Sequence, residues 1–236
     1  MNRFLFPDYD SLCKAAAERM DAIVNSNPRA ALCLATGASP EGLYKNFVEL
    51  AQEKIERYKR IHVVKLDEWG GLADNHPSTC ESYLRKHFLD PLQVSHDRYT
   101  SFKSSATDHA SECRRIQAEL ERLGQIDLCI LGLGTNGHLG LNEPAPYLMA
   151  HVHLAKLAEQ TQQHSMLETS SQKPTFGFTL GMADLLRSKK IFLIVSGEKK
   201  ARQLKRLLTP EIDTNFPASF LWTHPDVELF TDIDLN

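Results

Sequence analysis

Short apolar runs recur along this chain, separated by longer stretches with helical spacing, and that alternation constrains the fold more than any other feature. Residues 30–35, 61–66, 128–131 and 191–195 are nearly continuously apolar, as expected of strands buried on both faces of a parallel sheet. Residues 227–230 read as a closing strand. Between these runs, residues 9–24, 40–58, 78–88, 107–123 and 198–208 carry helix-like periodicity. Thr107 or Asp108 is placed to cap one helix and Ser78 another, and Pro40 suits a first helical turn. The pattern predicts an α/β fold. It is one domain over residues 1–236, built on an open, mainly parallel, doubly wound Rossmann-like sheet with helices on both faces. Residues 142–174 are more weakly patterned and read as a flap over a site or a short helical insert, whereas residues 176–182 read as core.

In such a sheet ligands bind beyond the carboxyl ends of the strands, so the loops that follow the apolar runs are where chemistry is expected. The richest is LGLGTNGHLGLNEP, residues 131–144. Its glycines let the backbone fold tightly and approach a ligand. Asn136, His138 and Glu143 offer side chains that can orient or shuttle a proton. GLGTNG has the spacing of a dinucleotide fingerprint, but Asn142-Glu143-Pro144 stands where the pyrophosphate-binding helix would have to run. A dinucleotide is therefore not expected.

Three other loops contribute. Thr36-Gly37-Ala38-Ser39-Pro40 leads straight into a helix, where free backbone amides and two hydroxyls can cradle a phosphate; a plain capping turn would use the same residues. Asp67 and Glu68 follow the second apolar run, and adjacent residues at a strand end point to opposite sides, so at most one of the two easily faces the crevice. Asp67, following a desolvated strand, is the better candidate for a general base. Ser196-Gly197-Glu198-Lys199-Lys200 is again strand, turn and helix. A lysine there is opposed by the helix dipole unless an anion pairs with it, which favours Lys200 as a phosphate ligand, while Lys199 reads as a surface residue.

A net charge of −3 gives no field for nucleic acid or an anionic membrane, so neither is an expected partner and an anionic ligand would need a local cradle. The five cysteines form no C-x-x-C pair, and Cys33 and Cys129 lie within apolar runs as small buried hydrophobes would. His151 and His153 could share one strand face, yet no third ligand is evident. No metal and no organic cofactor is expected. The opening MNRFLFPDYDSL lacks the apolar core of a signal peptide, so the cytoplasm is the expected location. A homo-oligomer is left open.

Together, TGASP, LDEWGGL, GTNGHLGLNEP and SGEKKA resemble, in this order, the loops of the amino-sugar-6-phosphate deaminase/isomerases, relatives of the 6-phosphogluconolactonases. The resemblance covers almost the whole chain. It implies that Asp67 is the base acting on the C1 and C2 protons, that His138 opens the sugar ring and that Glu143 holds and polarises that histidine. It implies a phosphate site at Thr36, Gly37, Ala38, Ser39 and Lys200, with Gly137, Gln163 and His164 as further substrate contacts. Two departures stand out. Asn136 replaces the Asp usual in glucosamine-type enzymes, and Leu167 stands where those enzymes carry a phosphate-binding arginine; His164 or Gln163 is then the candidate replacement. Asn136, residues 161–164 and residues 218–225 look most like the galactosamine-6-phosphate branch. That implies conversion of galactosamine 6-phosphate to tagatose 6-phosphate and ammonia. The chain ends soon after its last strand, which implies no allosteric segment of the glucosamine type. A glucosamine-6-phosphate deaminase, a 6-phosphogluconolactonase and a non-catalytic sugar-phosphate sensor remain the alternatives, although Glu143 speaks against the lactonase.

Overall fold

The computed structural model describes residues 1–168, 170 and 173–235; residues 169, 171 and 172, part of the stretch expected to form a flap or insert, lie outside the described residues, as does Asn236. Ten strands run in chain order: β1 (Asn2–Leu5), β2 (Ala31–Leu34), β3 (His62–Lys65), β4 (Asp67–Trp69), β5 (Tyr99–Thr100), β6 (Leu128–Gly132), β7 (His153–Lys156), β8 (Phe176–Thr179), β9 (Lys190–Val195) and β10 (Val227–Thr231). Seven of them form one sheet in the order β1-β10-β9-β6-β2-β3-β5, and every pairing in it is parallel. The remaining three, β4-β8-β7, form a small antiparallel sheet that the apolar runs did not predict.

Period two explains why the large sheet is doubly covered. Leu32, Leu34, Ile130, Phe192 and Ile194 belong to the core beneath the helices Tyr9–Ser26 and Ala38–Ala51. Their alternates Cys33, Cys129, Leu131, Leu193 and Val195 belong to the core on the other face, with His109–Leu123 and Ala201–Leu207. Each strand is thus apolar on both sides and reads as an unbroken run. Among the described residues, no helix is long and apolar enough to cross a membrane.

Several helices differ from their expected spans. The helix expected over residues 40–58 starts at Ala38 and ends at Ala51; a 3-10 turn, Gln52–Lys54, and a single turn, Ile55–Tyr58, follow it. The helix expected from residue 78 starts at Cys80, because Thr79 rather than Ser78 accepts the capping bond, from the Ser82 amide. It continues past Leu84 as a π-type turn, Arg85–Leu89. Asp108 caps its helix through the Ser111 amide. Residues 198–208 divide into a 3-10 turn, Glu198–Lys200, and the helix Ala201–Leu207. The described part of residues 142–174 supplies β7, the one-turn helix Glu159–Gln162 and the 3-10 turn Ser165–Leu167.

Candidate active site

From β2 the chain proceeds outward through β3 to β5, then returns to place β6, β9 and β10 on the opposite side of β2. The order reverses between β2 and β6, and in such sheets the ligand crevice lies at that reversal, beyond the carboxyl ends of the strands. Both loops that leave these two strands were singled out in the sequence. They meet there: a Cβ added to Gly132, at the end of β6, would stand 3.5 Å from Ser39 Oγ.

The loop after β2 presents amides. Gly37 precedes the helix with φ +96° and no side-chain cap. The Tyr83 hydroxyl donates to Gly37 O at 2.7 Å, and the Tyr9 hydroxyl donates to Ala38 O at 2.8 Å. The carbonyls are thereby occupied, while the Ala38 and Ser39 amides open the helix without a backbone acceptor among the described residues. Such a helix start suits an anion. Thr36 points elsewhere, its hydroxyl donating to Cys80 Sγ at 3.3 Å.

β4 carries the two carboxylates to opposite sides. Glu68 turns inward, fully buried, where Lys65 Nζ lies 2.7 Å away. It also accepts the amides of Cys80 and Glu81, at 2.9 Å each. Lys65 Nζ completes its coordination with Glu81, at 3.1 Å, and Phe102 O, at 2.9 Å. Burial opposes the Lys65 charge, but Glu68 and Glu81 outweigh it and hold the ammonium above its ordinary value. This ion pair fixes the strand end that carries Asp67. Asp67 faces the other way, with Cys80 Sγ donating to Oδ1 at 3.7 Å. Its Oδ2 would lie 3.4 Å from a Cβ on Gly140, in the histidine loop. Burial first, then the Glu68 charge, push the Asp67 carboxyl up to about 7.

The loop after β6 closes on itself, with the Gly137 amide donating to Gly134 O and the Gly134 amide to His138 O. Gly137 adopts φ +90° under the Phe216 ring, a conformation and a proximity that exclude a side chain. Gly134 leaves room for the His138 imidazole, which would sit 2.4 Å from a Cβ there. Glu143 can only accept, so Asn136 turns its Nδ2 to Glu143, at 2.7 Å. The amide oxygen of Asn136 then faces His138, 3.2 Å from its backbone N and 2.8 Å from Nδ1. Nδ1 must carry the hydrogen, so that in the neutral ring Nε2 is the acceptor. Glu143 itself is 3.5 Å from Nδ1, so Asn136 makes the shorter contact with the ring. Thr161 donates to the other Glu143 oxygen at 2.5 Å. Burial raises the Glu143 carboxyl, but the contacts with His138, Thr161 and Asn136 outweigh it and bring it down to about 2.

The remaining predicted residues are placed unequally. Lys200 is half-buried, and its Nζ donates to Leu133 O at 2.6 Å, at the root of the histidine loop. Burial holds its ammonium below the ordinary value. His164 accepts the Met166 amide on Nδ1, which leaves Nε2 as the donor. That Nε2 would be 3.4 Å from a Cβ on Gly37, in the loop after β2. Burial, then the charges of His138 and Lys200, lower the His164 pKa. Gln163 is exposed and is not brought into this constellation. His151 pairs with Asp184 at 3.1 Å and His153 Nδ1 donates to His151 O, so the two rings serve separate local contacts. Sequence reading missed Lys65 and Cys80. A lysine inside an apolar strand three residues before a glutamate was the available signal for the first; nothing in the local pattern marked the second.

The profile described as glucosamine-6-phosphate isomerases/6-phosphogluconolactonase matches residues 9–230. AgaI of Escherichia coli (strain K12), provisionally named a deaminase, is 42% identical over 217 residues, covering 92% of this chain and 86% of AgaI. The glucosamine-6-phosphate deaminase of Bacillus pumilus is 36% identical, covering 98% and 97%. The solved structure of a monomeric glucosamine-6-phosphate deaminase superposes with a TM-score of 0.93 at 33% identity, covering 98% of this chain and 97% of that one.

Proposed function

Because the chain belongs to the glucosamine-6-phosphate isomerase/6-phosphogluconolactonase family, we propose that it deaminates and isomerises a hexosamine 6-phosphate. The observation that carries this reading is the convergence of three parts at one sheet crevice. These are amides free to hold a phosphate, a buried carboxylate with a pKa of about 7, and a histidine whose Nε2 is left as an acceptor.

In this reading the Ala38 and Ser39 amides, Lys200 and the His164 Nε2–H hold the phosphate, and the sugar extends toward β4. His138 Nε2 takes the proton of the C1 hydroxyl and passes it to the ring oxygen as the ring C1–O bond breaks, giving the open aldehyde. Asp67 then removes the C2 proton while the aldehyde oxygen takes one from solvent, giving an enolamine, and Asp67 returns a proton to C1. The product is a ketose imine. Water adds at C2 and ammonia leaves. One carboxylate serves two neighbouring carbons, and a pKa near the working pH lets it both accept and donate. Asn136 keeps His138 in the required tautomer, and Glu143 and Thr161 keep Asn136 in place.

The finer proposal is that the substrate is galactosamine 6-phosphate and the product tagatose 6-phosphate. It is supported by the likeness of Asn136, residues 161–164 and residues 218–225 to the galactosamine branch. A site that hydrogen-bonds an axial C4 hydroxyl leaves a polar group unpaired with the other epimer, and such mismatches discriminate strongly. Ammonia release should be measured with both epimers. A kcat/KM at least tenfold higher for galactosamine 6-phosphate is expected; preference for glucosamine 6-phosphate would overturn the branch and leave the chemistry standing.

A further inference from the structure

Cys80 sits between the two halves of the candidate site. It is 2% exposed, and its Sγ accepts the Thr36 hydroxyl at 3.3 Å while its S–H donates to Asp67 Oδ1 at 3.7 Å. Its backbone amide is tied to Glu68, which is itself held by the buried Lys65. The thiol is therefore fixed on both sides, one contact on the anion-binding loop and the other on the carboxylate. Burial and the charges of Glu68 and Asp67 push its own pKa well above the ordinary value, so it stays a donor.

We propose that Cys80 is a positioning residue that holds Asp67 in its reactive orientation, favours its ionised form and links it to Thr36. This rests on the reading of Asp67 as the base. A hydrogen bond to a carboxylate stabilises the charged form, and this one opposes the effects of burial and of Glu68. The other groups facing the pair are accounted for. Lys65 lies behind Glu68, Glu81 is bound to Lys65, and Cys33 and Tyr44 sense the Asp67 charge from β2 and the helix Ala38–Ala51. Gly140 brings only backbone toward Oδ2.

The test compares Cys80→Ala and Cys80→Ser with the unmodified enzyme on a hexosamine 6-phosphate, measuring kcat and KM against pH. Alanine removes the donor. Its kcat should fall by roughly three- to tenfold with KM nearly unchanged, and the acid limb should move up by about half a pH unit to one, the worth of one net hydrogen bond. Serine should restore both. An alanine variant with an unmoved limb, or a serine variant as impaired as alanine, would reduce Cys80 to packing. If neither variant folds, infrared spectroscopy of the unmodified enzyme decides. One S–H stretching band should shift as Asp67 titrates and stop doing so in Asp67→Asn; thiol bands indifferent to both would overturn the proposal. If Asp67→Asn retains full turnover, the reading of the base has failed instead, which is a separate result.

Discussion

At the scale of single residues, Asp67 shows most clearly how function and stability oppose each other. Its pKa is raised from 3.8 to about 7 by burial and by Glu68. Between those values the folded protein keeps a proton that the unfolded chain has released. The associated stability is complete below about pH 4 and is lost as pH rises through about 7, a difference on the order of 4 kcal/mol. Asp67→Asn should therefore lower kcat by about a thousandfold or more while leaving sugar-phosphate binding largely intact. At pH 8 the same variant should melt several degrees higher than the unmodified protein. Calorimetry at pH 5 and pH 8 checks the second half. A gain in melting temperature that is equal at both pH values would show that the carboxylate carries no such strain. In the unmodified enzyme, kcat/KM should rise with pH along an acid limb near 7. The sequence marked Asp67 by its place after an apolar run, but it could not say which of Asp67 and Glu68 faces the crevice. That choice is made by Lys65, which draws Glu68 inward, and a buried ion pair of this kind is visible only once the strand is folded.

At the scale of elements, the strands that were legible are those buried on both faces: β2, β3, β6, β9 and β10. β1 was not, because it lies at the sheet edge with its side chains largely exposed and no apolar run to announce it. β5 has two residues. The antiparallel sheet escaped for a different reason. β4 begins with Asp67 and Glu68, and β7 alternates exposed and buried residues. Neither looks apolar in isolation, and their pairing through β8 joins distant parts of the chain. The helix after β9 was legible as an element but not in its first turn, where 3-10 geometry brings Lys200 back onto Leu133 O. This placement suits Lys200 to the phosphate end proposed above, where burial holds its ammonium below the ordinary value. Lys200→Ala should raise KM for the phosphorylated sugar by roughly ten- to hundredfold, the worth of one charged hydrogen bond, with a smaller effect on kcat. An unphosphorylated hexosamine should be scarcely affected. Equal and slight effects on both sugars would make Lys200 a support for the histidine loop only.

At the scale of the whole molecule, the fold explains why residues as distant in sequence as Thr36, Asp67, His138 and Lys200 come together. The parallel order reverses between β2 and β6, and loops from both sides of that reversal converge. The small sheet joins Asp67 to the segment that carries Thr161 and His164, since β4 and β7 both pair with β8. The histidine loop is clasped from the far side, where Gln203 donates to Thr135 O and the Ala218 amide to Gly137 O. The order of the loops was readable along the chain; the clasp was not, because its residues have no pattern apart from the contacts they make. In the proposed reaction a single carboxylate moves a proton from C2 to C1 while nitrogen leaves C2. The most direct measurement is NMR of one turnover reaction with galactosamine 6-phosphate deuterated at C2. Ammonia should appear in equal amount with the ketose 6-phosphate, and a fraction of the deuterium should be found at C1. A reaction that yields no ammonia, or a ketose that keeps its nitrogen, would contradict the assignment.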